Sequence, residues 1–204
     1  MSNKVKKLIH KELKKIKKPR ILEFGVEYGN STKYFLQNIK AGNLISVDTS
    51  DCSHLFKNKQ WTFINCRDDN YKIISKYLKK KIDIIFVDTT HTALHVEKIF
   101  YLYFKKLKIN GIMLIDDISW LPYCKNHYRD NSWVEQNNKQ TFFRLLEIYN
   151  SNSDKFDISF NFLESGLCKV IKTKDKKLNL KSKIYNRKFV IKNILKIIKN
   201  FFSF

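Results

Sequence analysis

Glycine and proline are scarce in this chain, whose 204 residues include five glycines and two prolines. Flexible linkers between domains are usually rich in Gly, Ser or Pro, so the scarcity argues against two domains joined by a long linker. Apolar residues make up 43% of the chain, which is enough for a hydrophobic core at this length. We therefore predict one domain over residues 1–175, with a basic helix within 1–18, and a basic C-terminal extension over 176–204.

Cysteines at metal-binding or redox spacing are absent as well. None of the four cysteines forms a CxxC pair, and no Cys/His cluster has the spacing of a zinc site. A core of this size needs no disulfide, so reduced thiols and a cytoplasmic location are expected. No apolar run approaches the roughly 20 residues that cross a bilayer, and the N-terminus has no signal-peptide pattern. We expect a protein that is soluble or peripheral on the cytoplasmic face of a membrane.

Arginine is rare: it accounts for only five of the 40 basic residues. The net charge of +21 suits a protein that neutralises nucleic-acid phosphates, but arginine is the better bidentate ligand of phosphate and guanine. Lys, Asn, Ile, Phe and Tyr are abundant together, as expected for an AT-rich genome. Three explanations of the charge stay open: composition bias, an anionic membrane surface and, least favoured, nucleic acid.

Runs of β-branched and aromatic residues alternate along the chain with segments of helical periodicity. Five strand–helix alternations predict a parallel sheet with right-handed crossovers and helices on both faces. A turn at 164–166 predicts a terminal antiparallel hairpin. The expected fold is α/β, a Rossmann-like, doubly wound, mostly parallel seven-stranded sheet. Strands are predicted over 20–25, 43–48, 61–65, 82–88, 111–116, 156–162 and 167–172, and helices over 4–17, 31–40, 69–80, 92–107 and 132–149.

The loop after the first predicted strand (EFGVEYGNS, residues 23–31) has the features of a ligand-binding turn. Open α/β sheets bind ligands beyond the carboxyl ends of their strands, where the strand order reverses. Gly25 would let the backbone approach a ligand closely, and Gly29 would permit a tight turn into the next helix. Glu23 suits a cationic ligand better than a phosphate. The loop matches neither the GxGxxG dinucleotide pattern nor a Walker loop.

An acid, Asp48, ends the second predicted strand, 23 residues after Gly25. In Rossmann-type sites an acid at this position accepts the ribose hydroxyls. A glycine loop paired with such an acid is more specific than either feature alone. After the third strand, Asp68 either contacts the nucleobase of a ligand or only caps the next helix, and both alternatives stay open.

Acids and a histidine follow the fourth and fifth predicted strands. Asp88 ends the fourth strand with His91 three residues later, and Asp116 and Asp117 end the fifth. Neighbouring strands lie about 4.8 Å apart, so three carboxylates would converge and raise one another's pKa values. A hard divalent cation would relieve this repulsion, and Mg²⁺, Mn²⁺ and Ca²⁺ all suit oxygen ligands. The alternative is that these acids only cap helices.

Together, the ExGxxxGxS pattern, the DxxH motif and the paired acids resemble the metal-dependent O-methyltransferases of the macrocin and mycinamicin type. This group, with the rhamnosyl O-methyltransferases and cephalosporin hydroxylase-like proteins, falls among the class I S-adenosylmethionine-dependent methyltransferases, whose sheet also ends in an antiparallel hairpin. The resemblance covers roughly residues 18–120. It implies methyl transfer from S-adenosylmethionine to a hydroxyl of a sugar, a glycan or another small molecule.

The resemblance also implies roles for individual residues. His91 would be the base that deprotonates the acceptor hydroxyl, with Asp88 beside it. Asp88, Asp116 and Asp117 would bind the divalent metal, Mg²⁺ before others. The S-adenosylmethionine site would be lined by Glu23, Gly25, Gly29, Ser31 and Asp48, with Asp68 at the adenine.

Two positions depart from the family pattern. Thr89 stands where the family often has glycine, so the turn is expected to differ. Asp116 stands where glutamate is frequent, and its shorter side chain reaches less far toward a metal. His95, four residues after His91, is expected to be only its neighbour. Aromatic residues after the fifth strand would stack on an acceptor or merely cover the sheet edge: Trp120, Tyr123, His127, Tyr128 and Trp133.

Residues 186–204 combine an apolar stripe with lysines on the opposite side. Such a helix can lie in an anionic membrane interface, pack on its own core or join two copies in a homo-oligomer. Two other functions stay open, an RNA methyltransferase and a non-catalytic, membrane-associated binding module. The fourth strand ends in VDTT rather than the Asn/Asp-Pro-Pro-Tyr used to methylate base amino groups, which disfavours the RNA alternative.

Overall fold

The sheet of the computed structural model has the predicted seven strands, in the order β3-β2-β1-β4-β5-β7-β6. Residues 3–121, 132–162, 164–185, 195, 198 and 199 are described. Strands β1 to β5 run parallel, whereas β7 is antiparallel to both β5 and β6. The fold prediction is confirmed. The strands are β1 (Arg20–Phe24), β2 (Asn43–Asp48), β3 (Trp61–Asn65), β4 (Ile82–Val87), β5 (Leu107–Asp116), β6 (Phe156–Asn161) and β7 (Leu167–Lys172).

Four of the five described helices agree with the predicted segments to within a few residues. Helix α3 is much shorter than the predicted 69–80. The side chain of Asn70 caps its N-terminus by accepting a hydrogen bond from the backbone N–H of Ile73. Beyond Ile74 the chain continues in tight turns, with backbone hydrogen bonds between residues three positions apart. The helices are α1 (Asn3–Leu13), α2 (Asn30–Asn38), α3 (Tyr71–Ile74), α4 (Ala93–Phe104) and α5 (Ser132–Asn150).

Strand β4 is buried along its whole length, as its continuous apolar sequence predicts. Ile85 and Val87 belong to the core cluster that includes residues of α4 and α5. Ile84 and Phe86 belong to the cluster on the opposite face, which includes residues of α1 and α2. Helices therefore cover both faces of the sheet.

The strand order reverses between β1 and β4, and this reversal positions the candidate site. From β1 the chain adds β2 and β3 on one side, and it then returns to add β4 and β5 on the other. Ligands of doubly wound sheets bind beyond the carboxyl ends of the strands at such a point. The loops after β1, β2 and β4 all emerge there.

The chain after β7 packs back onto α4 and α5 before the described part of the tail ends. The carbonyl of Asn179 accepts the hydroxyl of Tyr101, and the backbone N–H of Ser182 donates to the carbonyl of Glu147. The division of the chain at residue 175 stays a prediction. No described helix is long and apolar enough to cross a membrane.

Candidate active site

Gly25 brings the ends of β1 and β4 into backbone contact. Its φ is +89°, and a Cβ atom at this position would lie 1.7 Å from the carbonyl oxygen of Asp88. An L side chain is unfavourable at this φ and would also overlap the neighbouring backbone. Gly25 therefore permits the close approach of Asp88, the residue that follows β4. The predicted close approach to a ligand stays a prediction.

Two clefts open on either side of Gly25, with volumes of about 410 and 380 Å³ that include the space open to solvent. Both clefts border the turn, so an extended small molecule bound in both would cross Gly25. We call them the β2-side cleft and the α2-side cleft. The β2-side cleft is lined by Gly25, Val47, Asp48, Thr49, Cys66, Arg67, Asp68, Thr89 and Thr90, and the α2-side cleft by Gly25, Val26, Glu27, Asn30, Ser31 and Asp88.

Asp48 holds the glycine loop as well as lining the β2-side cleft. Its Oδ2 accepts the backbone N–H groups of Val26 at 2.8 Å and Glu27 at 3.1 Å. Partial burial opposes ionisation, but these bonds and that from Ser50 lower the pKa of Asp48. Glu27, which the sequence did not single out, adopts a left-handed φ of 50° to make its bond.

Glu23 lies beneath the loop and does not line either of these two clefts. Its carboxylate is fully buried and accepts the hydroxyls of Thr32 at 2.7 Å and Ser46 at 2.6 Å. Burial raises the pKa of Glu23, although hydrogen bonds from Ser31, Ser46 and Thr32 oppose the rise. Glu23 thus links α2 to β2 beneath the loop. The prediction that it lines the site of a cationic ligand does not agree with this position. The sequence could have predicted this position. Side chains along a strand point alternately to the two faces of the sheet, so Glu23 shares a face with Ile21, the face that α2 covers.

Replacing Glu23 by glutamine is expected to remove part of the pH dependence of folding. The pKa of Glu23 is raised above its ordinary value of 4.5 in the folded protein. The contribution of Glu23 to the free energy of unfolding therefore falls as pH rises from its ordinary pKa toward its raised pKa. Glutamine carries no charge and avoids the loss. Urea unfolding from about pH 4 to about pH 8 should show a larger decrease in the wild-type free energy of unfolding than in Glu23→Gln. Equal decreases would contradict the assignment.

Asp68 lines the β2-side cleft and is not a helix cap, since Asn70 caps α3. Its Oδ2 lies 2.7 Å from Nε2 of His95 on α4, and both side chains are nearly buried. His95, which was expected to be only a neighbour of His91, therefore contacts an acid of the cleft. Nothing in the local pattern predicts this pair, which joins residues 27 positions apart.

His91 lies between two of the predicted acids. Its Nε2 is 3.3 Å from Oδ2 of Asp117 and 3.8 Å from Oδ1 of Asp88, and about a third of its side chain is exposed. Asp117 adopts a left-handed φ of 57° directly after β5. Backbone conformations of this kind in non-glycine residues cluster at functional sites. The structure thus brings Asp88, His91 and Asp117 together at the predicted edge of the sheet.

Asp116 is buried beside this group and is bonded to the protein itself. Its Oδ1 accepts the backbone N–H of Asp117 and the hydroxyl of Ser165 in the hairpin turn. Burial and the charge of Asp117 raise the pKa of Asp116. Its described contacts therefore link β5 to the hairpin, in line with the short reach expected of an aspartate here.

Burial and the charges of neighbouring acids raise the pKa values of Asp88 and Asp116. Burial raises the pKa of Asp88 to about 7, and the negative charges of Asp116 and Asp117 contribute to the rise. Among the residues that the structure describes, no group of three His, Cys, Asp or Glu side chains has the arrangement of a metal site. The predicted ligand set, Asp88, Asp116 and Asp117, stays a prediction.

The family comparison identifies the domain that carries these clefts. Residues 22–118 match the family model described as a methyltransferase domain. They form a methyltransferase domain. The match begins in β1 and ends just after Asp117, so it includes both clefts and the Asp88–His91–Asp117 group. No curated protein matches the sequence of this methyltransferase.

Solved structures share the methyltransferase fold. A proposed caffeoyl-CoA O-methyltransferase from Staphylococcus aureus has a TM-score of 0.66 at 18% identity, over 84% of each chain. The MycE methyltransferase of the mycinamycin biosynthetic pathway, in complex with Mg and SAH, has a TM-score of 0.62 at 16% identity, over 85% of this chain and 51% of that one. A proposed rRNA methylase from Clostridium thermocellum has a TM-score of 0.62 at 13% identity, over 86% and 99%. At these identities the likeness shows the fold, and the fold alone does not choose the acceptor.

An aromatic cluster surrounds Trp120, one of the residues predicted to stack on an acceptor. Trp120 packs against Phe142 and Phe143 of α5 and Phe162 after β6. Trp133, also predicted to stack on an acceptor, is 68% exposed. The other predicted acceptor residues, Tyr123, His127 and Tyr128, lie outside the described residues.

Proposed function

We propose that this methyltransferase transfers the methyl group of S-adenosylmethionine to a hydroxyl of a sugar, a glycan or another small molecule, with the help of a divalent metal ion, Mg²⁺ before others. The observation that carries the proposal is the position of His91 between Asp88 and Asp117, beside the Gly25 turn. The likeness to MycE, solved with Mg, SAH and mycinamycin VI, supports it.

The two clefts fit the two ends of S-adenosylmethionine. Asp48 lines the β2-side cleft at the strand end where Rossmann-type sites accept the ribose hydroxyls, and it holds the backbone of the glycine loop. Asn30 and Ser31 offer polar groups for the amino-acid end in the α2-side cleft. When bound across Gly25, S-adenosylmethionine supplies an electrophilic methyl group on a sulfonium. Gly25 has no side chain that would separate the two clefts, so the ligand can extend across the turn.

His91 is suited to take the proton of the acceptor hydroxyl. Imidazole is a common general base, and about a third of the His91 side chain is exposed, so it can exchange protons with substrate and solvent. Asp117, 3.3 Å from Nε2, orients the imidazole and stabilises its protonated form. The deprotonated hydroxyl then has the nucleophilic oxygen that an in-line transfer requires, and positioning supplies much of the acceleration.

The chemistry of the three carboxylates suits a hard divalent cation, although the described side chains are not arranged around one. Carboxylate oxygens are the ligands that Mg²⁺ prefers. Burial raises the pKa of Asp88 most, and the charges of Asp116 and Asp117 add a repulsion that a cation would relieve. The residues proposed to hold it are Asp88 and Asp117, with Asp116 behind them. When bound, the ion would act as a Lewis acid that lowers the pKa of the acceptor hydroxyl.

Chelation is expected to abolish methyl transfer and to leave SAH binding largely unchanged, since Asp88 is the one proposed metal residue that lines either of the two cofactor clefts. Transfer of labelled methyl from S-adenosylmethionine to a panel of hydroxylated sugars and phenols, before and after EDTA and again with Mg²⁺ added back, measures the first part. Calorimetry with SAH measures the second. Undiminished transfer in EDTA would contradict the metal, and failure of the untreated protein to bind SAH would contradict the cofactor.

The other predicted partners stay predictions. Residues 186–204 lie largely outside the described residues, and within them Leu195 and Ile198 are exposed. Contact with a membrane surface and assembly into a homo-oligomer both remain proposals for this segment. An RNA acceptor is the second candidate function, favoured by the net charge of +21. Methylation of added RNA, with affinity that falls steeply with salt, would support it.

A further inference from the structure

Helix α4 holds the loop after β3 at three points. Nε2 of His95 lies 2.7 Å from Oδ2 of Asp68, and the hydroxyl of Tyr103 donates to the carbonyl of Asp68 at 2.7 Å. Nζ of Lys98 donates to Asp69 at 2.8 Å. Both the side chain and the backbone of Asp68 are therefore fixed from one helix. The methyl-transfer mechanism proposed above uses none of these α4 residues.

Asp68 and Asp48 are the two acids of the β2-side cleft. Both oxygens of Asp48 accept backbone N–H groups of nearby loops. The described hydrogen bond of the Asp68 carboxylate uses Oδ2 alone, and no described contact engages Oδ1. Asp68 is thus the acid of this cleft with an oxygen left to accept a hydrogen bond from a ligand.

A carboxylate discriminates between purine bases by the hydrogen bonds that they offer. Adenine presents an amino donor at C6, whereas hypoxanthine presents a carbonyl acceptor there, which a carboxylate repels. A polar group gives strong discrimination only if its position is fixed, because a side chain that can rotate away loses the interaction and also avoids the repulsion. The bond from His95 restricts the rotation of Asp68.

We propose that His95 is a positioning residue that holds Asp68 in place to accept the amino group of the adenine of the cofactor, and so makes the site select adenine over hypoxanthine. This proposal rests on the proposed function for the identity of the cofactor. His95 acts through Asp68 and does not take part in the transfer of the methyl group.

The test uses two amides of different reach at position 95 of the full chain. In His95→Gln the amide nitrogen falls close to the position of Nε2 and can still donate to Asp68. In His95→Asn the amide is one methylene shorter and cannot reach. SAH and S-inosylhomocysteine are the two probes, and calorimetry measures both affinities. Tyr34→Phe, which loses a hydrogen bond to the carbonyl of Lys6 on the far side of the sheet, is the control.

We expect His95→Asn to bind SAH about tenfold more weakly than the wild type, as the loss of a charge-assisted hydrogen bond implies. Its preference for SAH over S-inosylhomocysteine should fall, whereas His95→Gln and Tyr34→Phe should keep both the affinity and the preference. A general loss of stability would weaken both probes equally. Wild-type preference in His95→Asn, or equal losses in His95→Asn and His95→Gln, would overturn the role of His95. A wild-type protein that binds neither probe would instead contradict the proposed function.

Discussion

Gly25→Ala is expected to weaken SAH binding by at least about 100-fold, which corresponds to a loss of roughly 2.8 kcal/mol of binding free energy. The added Cβ would lie 1.7 Å from the carbonyl oxygen of Asp88, at a φ of +89°. The overlapping atom belongs to backbone, so no side-chain rotation relieves the contact and the ends of β1 and β4 must separate. Both clefts border Gly25, so both change shape. Calorimetry with SAH measures the effect.

Gly42→Ala is the matched control for this experiment. Gly42 has a φ of +118°, and its Cβ would lie 2.2 Å from the carbonyl oxygen of Pro19. This position precedes β2, at the opposite end of the sheet from the clefts. Both variants should lose roughly 2 kcal/mol or more of folding stability, but only Gly25→Ala should lose SAH affinity beyond the fraction that is unfolded. Similar affinities in the two variants would show that the Gly25 turn does not border the cofactor.

The second large effect is expected from His91→Ala, which should reduce methyl transfer by about 10²–10⁴-fold, the usual contribution of a general base. SAH affinity should be unchanged, because His91 lines neither cleft and contacts Asp88 and Asp117 instead. The measurement is single-turnover transfer of labelled methyl to an acceptor found active with the wild-type protein. Because one third of the His91 side chain is exposed, its removal leaves no large cavity in the core.

His54→Ala controls for the loss of a histidine as such, since His54 is exposed and belongs to neither cleft. Its transfer rate should equal that of the wild type. If His91→Ala transfers methyl as fast as His54→Ala, then His91 is not the base. If His91→Ala loses SAH affinity in proportion to its rate, the effect lies in binding the cofactor and not in proton transfer.

The sequence by itself predicted most elements of this protein and the edge of the sheet at which its strand-ending acids gather. Strand and helix periodicities are local, so the runs that became β2 and β3 were predicted to the residue. The carboxyl ends of parallel strands meet at one edge, so acids that end strands must gather there. For that reason the proximity of Asp88, His91 and Asp117 followed from their positions alone.

Only the tertiary structure decided how these side chains are used. Glu23 accepts hydrogen bonds from Thr32 and Ser46. Asp116 accepts one from Ser165, and Asp68 pairs with His95. Each of these contacts depends on how strands, helices and loops pack, and on the rotamer that the packing allows. The last two join residues 49 and 27 positions apart. A residue pattern along the chain carries no record of such distances, because hydrogen bonds between side chains form only after the backbone has placed both partners.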